Sequence, residues 1–289
     1  MRYSIIDIGS NSVRLMLNEN LITLKKYVTA TGLGRGLLLT GNLQEQNIQD
    51  TLQTLIEYKR IAYEEFKTDV FYIFATEAVR SAKNKNTFLK RAKNLGFDID
   101  VIENKLEAKL GFYGAYTKGE IGVLDIGGAS TELSIGNEES LLYSKSLPIG
   151  VARIKDKAPN ENPIEINKYI LEVIKDYGNV PNCDELLAIG GTATTFAAIY
   201  LQLKTYDPKK VDGFIISKND ILEITEGIRN LTMEQRLKVI GLEEKRRDLI
   251  VGGGYLLVQI MDMLNLENIK VRESDNLEGY LKYKLGIVK

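Results

Sequence analysis

One short pattern occurs twice in the sequence, and it restricts the fold more than any other feature. Asp7-Ile8-Gly9-Ser10-Asn11-Ser12 near the start is echoed by Asp125-Ile126-Gly127-Gly128-Ala129-Ser130-Thr131-Glu132 in the middle. In each copy an apolar run ends in Asp and a hydrophobe, turns through Gly and small polar residues, and resumes as a second apolar run. A buried strand, a tight turn and a return strand produce that pattern. The chain has 289 residues, a length that suits about two domains. Two related α/β halves follow, with a boundary near Lys118-Gly119-Glu120. We take residues 1–118 as the first half and 119–276 as the second. A closing helix over residues 277–289 is expected to pack back on the first.

The remaining sequence alternates strand-like and helix-like segments. Residues 70–75 and 121–126 are apolar runs of strand length, and 185–189 reads as another strand. Apolar residues over 43–66 fall at helical spacing. Residues 88–95 form a helix stopped by Gly96, and 106–116 a shorter one. Helices are also expected over 164–177 and 192–201. Ser217-Lys218-Asn219-Asp220 and Thr232-Met233-Glu234-Gln235 fit helix-opening capping boxes. Residues 247–264 form a long apolar helix interrupted by Gly252-Gly253-Gly254, which implies close approach of another element.

Composition prunes the chemistry. Lys plus Arg is 38 against 39 Asp plus Glu, so the basic excess of a DNA-binding protein is missing. There is no His, which excludes serine-hydrolase triads, His-ligated zinc and phosphohistidine mechanisms. Cys183 is the single cysteine, so an intrachain disulfide and a Cys-rich metal site are both impossible. We read it as a plain thiol. The N-terminal apolar run is too short for a secretory segment, and no stretch approaches a membrane span. The expected location is cytoplasmic, with no membrane partner.

The chemistry should lie in the turns. A Gly-rich turn after a buried strand exposes backbone N–H groups that form an anion-binding concavity. Ser10, Ser12, Ser130 and Thr131 can add hydroxyls. Asp7 and Asp125 would face the same cleft and could hold a cation. One such turn is usually only a tight hairpin; two, one per half, make a phosphate clamp. A third Gly-rich turn, Gly190-Gly191-Thr192, feeds a helix N-terminus, where free N–H groups and the helix dipole favour anions. It lacks the lysine of a P-loop.

These stretches carry a resemblance. With Ala75-Thr76-Glu77-Ala78-Val79-Arg80, Ser146-Leu147-Pro148-Ile149-Gly150 and a closing Ser274-Asp275-Asn276-Leu277-Glu278-Gly279, the chain resembles the exopolyphosphatase / guanosine pentaphosphate phosphohydrolase family. The motifs occur in the family's order and span nearly the whole chain. The resemblance implies two ribonuclease-H-like domains of the actin, sugar kinase and heat-shock chaperone superfamily, with the active site in the cleft between them. It implies a hydrolase that removes terminal orthophosphate from polyphosphate or guanosine pentaphosphate.

The resemblance also implies roles. The family's catalytic base falls on Glu107, and its phosphate-facing arginine on Arg80. Gly111 and Gly114 share the helix face of Glu107, which is expected to leave open space for substrate. Gly9, Ser10, Asn11, Ser12, Gly127, Gly128, Ala129, Ser130, Gly190, Gly191 and Thr192 would bind phosphate. Asp125 and Glu132, with Asp7 as a further candidate, would hold Mg²⁺ or Mn²⁺. Arg153 is a further phosphate-contact candidate. Leu106 and Lys109 depart from the family's usual acid and arginine, and Ala129 stands where Gly is commoner. Lys83, Lys85, Lys90, Arg91 and Lys93 form a basic patch that is either a solvated face or a guide for a polyanion. A binding sensor with little activity and a small-molecule kinase of the same superfamily stay open as alternatives. A homodimer is the default assembly.

Overall fold

The computed structural model describes residues 1–137 and 139–288. Two mixed sheets carry the fold. The first contains β1 (Arg2–Ile8), β2 (Ser12–Glu19), β3 (Ile22–Ala30), β4 (Val70–Ala75) and β5 (Asp100–Val101), in the order β3-β2-β1-β4-β5. The second contains β6 (Ile121–Ile126), β7 (Thr131–Gly136), β8 (Leu141–Leu147), β9 (Glu185–Ile189), β10 (Ile215–Ser217) and β11 (Asn268–Val271), in the order β10-β11-β9-β6-β7-β8. From β8 inward, the second sheet repeats the order of the first, and β10 is an added edge strand. In both, the opening strand pairs antiparallel with its successor and parallel with a later strand. The echo in the sequence is therefore a duplicated α/β unit in the ribonuclease-H-like order.

Each half has its own apolar core. Ile6, Leu15, Leu55, Ile73 and Phe88 belong to the first, and Leu124, Leu133, Phe196, Leu256 and Ile260 to the second. β6 and β7 are buried nearly end to end, whereas β3 is a largely solvent-facing edge. Covering a sheet on both faces gives the continuous apolar runs that marked β6 and β9.

Several helices differ from expectation. Residues 43–66 form a helix over Glu45–Arg60 followed by one π-turn, Ile61–Glu65. The helix after β9 starts directly at Gly190 rather than at 192. Thr232 does close a capping box, yet its helix is a single turn, Met233–Arg236. The long apolar helix spans Ile250–Met263. Its glycine triplet serves the expected purpose. A Cβ on Gly253 would lie 2.7 Å from the Thr192 methyl, and one on Gly254 only 1.9 Å from Thr225 Oγ1.

The closing helix, Asn276–Lys284, is shorter than the expected 277–289, and residue 289 lies outside the described residues. It packs on the helix Asn104–Ala115 and on β1. Tyr280 stacks on Phe74 with ring centroids 4.4 Å apart, and Leu277 and Leu281 join Tyr3 and Ile5 in one buried cluster. The two helices touch backbone to backbone. A Cβ on Gly279 would fall 1.9 Å from the Leu110 carbonyl oxygen, and one on Gly114 2.0 Å from that of Asp275. Among the described residues, no helix is long and apolar enough to cross a membrane.

Candidate active site

The two echoed turns are built alike. Gly9 N–H donates to Ser12 O, and Gly127 N–H donates to Ser130 O, each at 3.0 Å. Their outer carbonyls are occupied by neighbouring segments. Gly34 N–H donates to Ser10 O at 2.7 Å, and Ala152 N–H to Gly128 O at 2.8 Å. Among the described residues, the amides of Ser10, Asn11, Gly128 and Ala129 find no backbone acceptor. The turns press against each other: a Cβ on Gly128 would stand 2.8 Å from Ser10 Cβ and 3.2 Å from Asn11 N. Glycine is required there by contact between the halves.

One small cleft gathers most of the expected residues. Its walls include Asp7, Gly9, Ser10, Asn11, Ser12, Glu107, Asp125, Gly127, Gly128, Ser130, Glu132, Gly190, Gly191 and Thr192. It encloses about 90 Å³, well below the roughly 300–1,000 Å³ of a pocket for a drug-sized molecule. The space is on the scale of one phosphoryl group. Ala129 is buried but is not on the cleft wall. Thr131 is turned away, its Oγ1 donating to Ile149 O.

Hairpin register sets the carboxylates. Asp7 pairs across the first hairpin with Arg14, and Asp125 pairs across the second with Glu132. The same place in the repeat thus holds a cation in one half and an anion in the other. Arg14 donates to Asp7 from two nitrogens and to Asp275 from the third. Burial opposes its charge, but Asp275 and Asp7 outweigh burial and keep it protonated. Asn276 Nδ2 donates to Asp125 Oδ2 at 3.3 Å. Ser146 Oγ donates to Glu132 Oε1 at 2.6 Å.

The remaining acids lack enough countercharge. Burial raises the Asp125 carboxyl well above its usual range, and the charge of Glu132 adds to this. Burial likewise pushes Glu132 up to about 7, although Ser146 and Ser130 partly offset it. Glu107 is lifted well above the ordinary range by burial and then by Glu132, with Arg80 offsetting part. Among the described residues, Asp7 Oδ1 is buried with no hydrogen-bond partner. Oxygen donors this short of positive charge fit a divalent cation. Asp125 and Glu132 would hold it, with the unpartnered Oδ1 of Asp7, whose Oδ2 is taken by Arg14, as a third donor. Among the described residues, no group of three or more acids, Cys or His forms a ready cage. Mg²⁺ suits such a site, because it keeps several waters and takes only one or two carboxylates.

Three expectations are corrected. Arg80 is not on the cleft wall. It stands behind Glu107, donating from Nη1 to Glu107 Oε2 at 2.9 Å and to Ile102 O at 2.6 Å, and from Nη2 to Glu77 Oε2 at 2.7 Å. Arg153 likewise donates to Glu77 Oε1, at 3.1 Å, instead of facing the cleft. Gly111 and Gly114 leave no open space beside Glu107. They receive the start of the closing helix, with Asn276 Oδ1 2.8 Å from where a Gly111 Cβ would lie.

Other expectations resolve simply. Lys109 lines a separate groove of about 1080 Å³ behind the Glu107 helix, so this departure does not face the cleft. None of Lys83, Lys85, Lys90, Arg91 or Lys93 lines the cleft, and Arg91 pairs with Glu45 at 2.8 Å. Cys183 is half-buried, and burial pushes its thiol up, as for an unactivated thiol.

Sequence reasoning missed two cations. Arg14 could have been found from hairpin register, as the partner of Asp7. Arg246 gave no signal, because it sits in the charged run Glu243 to Asp248, which reads as a solvated turn. Its guanidinium lies over Gly191, 1.9 Å from where a Cβ would be, and it lines the cleft. Burial lowers its proton affinity, yet an arginine stays charged.

Comparison with known proteins gives the family. The Ppx/GppA phosphatase family profile matches residues 14–285. The chain is 31% identical over 303 residues to a bifunctional 3-dehydroquinate synthase/phosphatase of Fusobacterium nucleatum, covering 95% of this chain and 45% of that protein. The chain thus spans less than half the length of that relative. It is 25% identical over 313 residues to exopolyphosphatase 2 of Mycobacterium tuberculosis, covering 96% of this chain and 97% of that one. A solved Ppx/GppA protein from Aquifex aeolicus superposes with a TM-score of 0.80 at 29% identity, covering 99% of this chain and 98% of the other.

Proposed function

The chain belongs to the Ppx/GppA phosphatase family, and on that premise we propose that it hydrolyses the terminal phosphoanhydride of polyphosphate or guanosine pentaphosphate. The observation that carries this reading is the cleft itself. Two matching turns meet there, with a buried carboxylate between them and room for one phosphoryl group.

The terminal phosphoryl group enters the cleft, and the rest of the substrate extends outward. The free amides of the two turns and of Gly191 hold its oxygens, and Arg246 adds a charged donor from the side. A divalent ion held by Asp125, Glu132 and Asp7 would neutralise charge on the transferring group. Glu107 orients a water and takes its proton. The water oxygen bonds to phosphorus, the bridging P–O bond breaks, and the shortened substrate leaves with the electron pair. Phosphoryl transfer rests on positioning and charge neutralisation. The raised proton affinity of Glu107 brings it closer to working pH, where a general base is most effective. The location that goes with this reading is cytoplasmic.

The test is orthophosphate release with Mg²⁺ from short polyphosphate, long polyphosphate, guanosine pentaphosphate and ATP, with Glu107→Gln as control. Release from one of the first three, reduced about 10²- to 10⁴-fold in the variant, is expected. Binding without release from any would move the protein to the sensor reading. Transfer from ATP to an acceptor would move it to the kinase reading.

A further inference from the structure

Arg80 belongs to a chain of four alternating charges. Arg153 Nη2 donates to Glu77 Oε1 at 3.1 Å, Arg80 Nη2 to Glu77 Oε2 at 2.7 Å, and Arg80 Nη1 to Glu107 Oε2 at 2.9 Å. The side chains are 14%, 11%, 13% and 6% exposed in that order, so water screens none of the links well. Glu77 opens the helix Glu77–Ser81 after β4, in the first half. Arg153 is on the helix Val151–Lys157, in the second. The Arg153–Glu77 link therefore crosses between the halves, and its far end is the carboxylate facing the phosphoryl space.

Glu77 spends one oxygen on each arginine. With both oxygens engaged, it holds Arg80 so that only Nη1 reaches Glu107. Without it, Arg80 Nη2 would lose its acceptor. A freed guanidinium would swing its planar fork onto Glu107 with both nitrogens, the favoured geometry for this pair. That would draw the Glu107 carboxylate towards Arg80 and away from the cleft.

We propose that Glu77 and Arg153 are positioning residues that fix the angle at which Arg80 presents Glu107 to the phosphoryl group, and that they do so only when the two halves are together. The proposal rests on the reading of Glu107 as base. It gives the two halves a way to register their approach at the reacting water. Neither residue lines the cleft.

The test compares steady-state orthophosphate release by wild type, Glu77→Gln, Arg153→Ala, Arg153→Lys and the Glu77→Gln/Arg153→Ala double variant. Thermal melting checks that each is folded. Removing an outer-shell partner of an active group typically costs about 10–100-fold. We expect kcat to fall by about that factor in Glu77→Gln and Arg153→Ala, with KM within about threefold. Arg153→Lys should recover most of the loss, and the double variant should be no slower than Glu77→Gln. A purely structural role would not give this split, rescue and non-additivity. Retention of kcat within twofold in Glu77→Gln, or fully additive losses, overturns the proposal. A crystal structure of Glu77→Ala, which removes both acceptor oxygens, supplies a readout that does not depend on activity. Arg80 turned onto Glu107 through both nitrogens is expected, and an unchanged single contact overturns the proposal even if wild type releases no phosphate. Inactive wild type with Arg80 so turned would defeat the hydrolase reading alone.

Discussion

Glu107 and Glu132 face one cleft from different elements, a helix and β7, and the charge of Glu132 adds to burial in holding a proton on Glu107. Glu132 is itself pushed up to about 7 from an ordinary 4.5, chiefly by burial. A carboxyl raised in the folded state keeps a proton that the unfolded chain has released. Stability is then greatest below pH 4.5 as far as this group is concerned, and is lost as pH rises through about 7. The loss is on the order of 3 kcal/mol. Thermal melting of the ligand-free protein across this interval should show the fall, and Glu132→Gln should make it shallower. A wild-type curve that rises instead would show that the pair is compensated.

Activity should carry the same signature in the opposite sense. Glu107 must be deprotonated to accept a proton, so kcat should rise with pH along an acid limb lying above the usual Glu range. Removing the charge of Glu132 in Glu132→Gln should move that limb to lower pH, whatever it does to the rate. An unmoved limb would place the titrating group elsewhere.

Gly128→Ala should separate the turns. Its new methyl would meet Ser10 Cβ at 2.8 Å and the Asn11 amide at 3.2 Å, and backbone can yield only by shifting. The expected cost in stability is about 1–3 kcal/mol, with a loss of phosphate release of tenfold or more because the clamp loses its spacing. Urea unfolding and steady-state kinetics measure the two effects separately.

Arg246→Ala should weaken binding and leave the fold alone. Among the described residues its one ion pair, at 3.3 Å, is with the half-exposed Glu243. A charge-assisted hydrogen bond is worth about 1.5–3 kcal/mol, so the inhibition constant for orthophosphate should rise about 10–100-fold. Calorimetric titration with orthophosphate reads this directly. Unchanged affinity would remove Arg246 from the phosphate site.

Gly279→Ala should destabilise the closing helix, because its methyl would fall 1.9 Å from the Leu110 carbonyl oxygen. A loss of about 3 kcal/mol is expected. Asp275 and Asn276 would shift with the helix start, so activity should fall with stability.

The duplicated sheets were legible because the echo is local: strand, Asp, Gly-bearing turn and return strand lie within a dozen residues. The same locality made Asp7, Asp125, Glu132 and the turn residues readable as one site. What the sequence hid depends on contacts far apart along the chain. Gly111 and Gly114 share a face with Glu107, but periodicity does not tell whether that face meets substrate or another helix, and Asn276 arrives from more than 150 residues away. Arg80 and Arg153 carry the charge that phosphate needs. Whether each meets phosphate or carboxylate turns on Glu77, which lies between them in space but not in sequence. β3 was missed because an edge strand half open to water mixes polar and apolar residues without the buried run that marked β1 and β6.

The chain passes between the halves twice, once just before Ile121 and once just before Asn276, and the helices beside these crossings are packed together. Two covalent crossings along one helix pair behave like the pins of a door. They resist sliding and leave rotation about the pair as the easy motion. Glu77–Arg153 and the 3.8 Å pair Arg35–Asp248 join the halves again at points the crossings do not supply, so a rotation about the pair would have to break both.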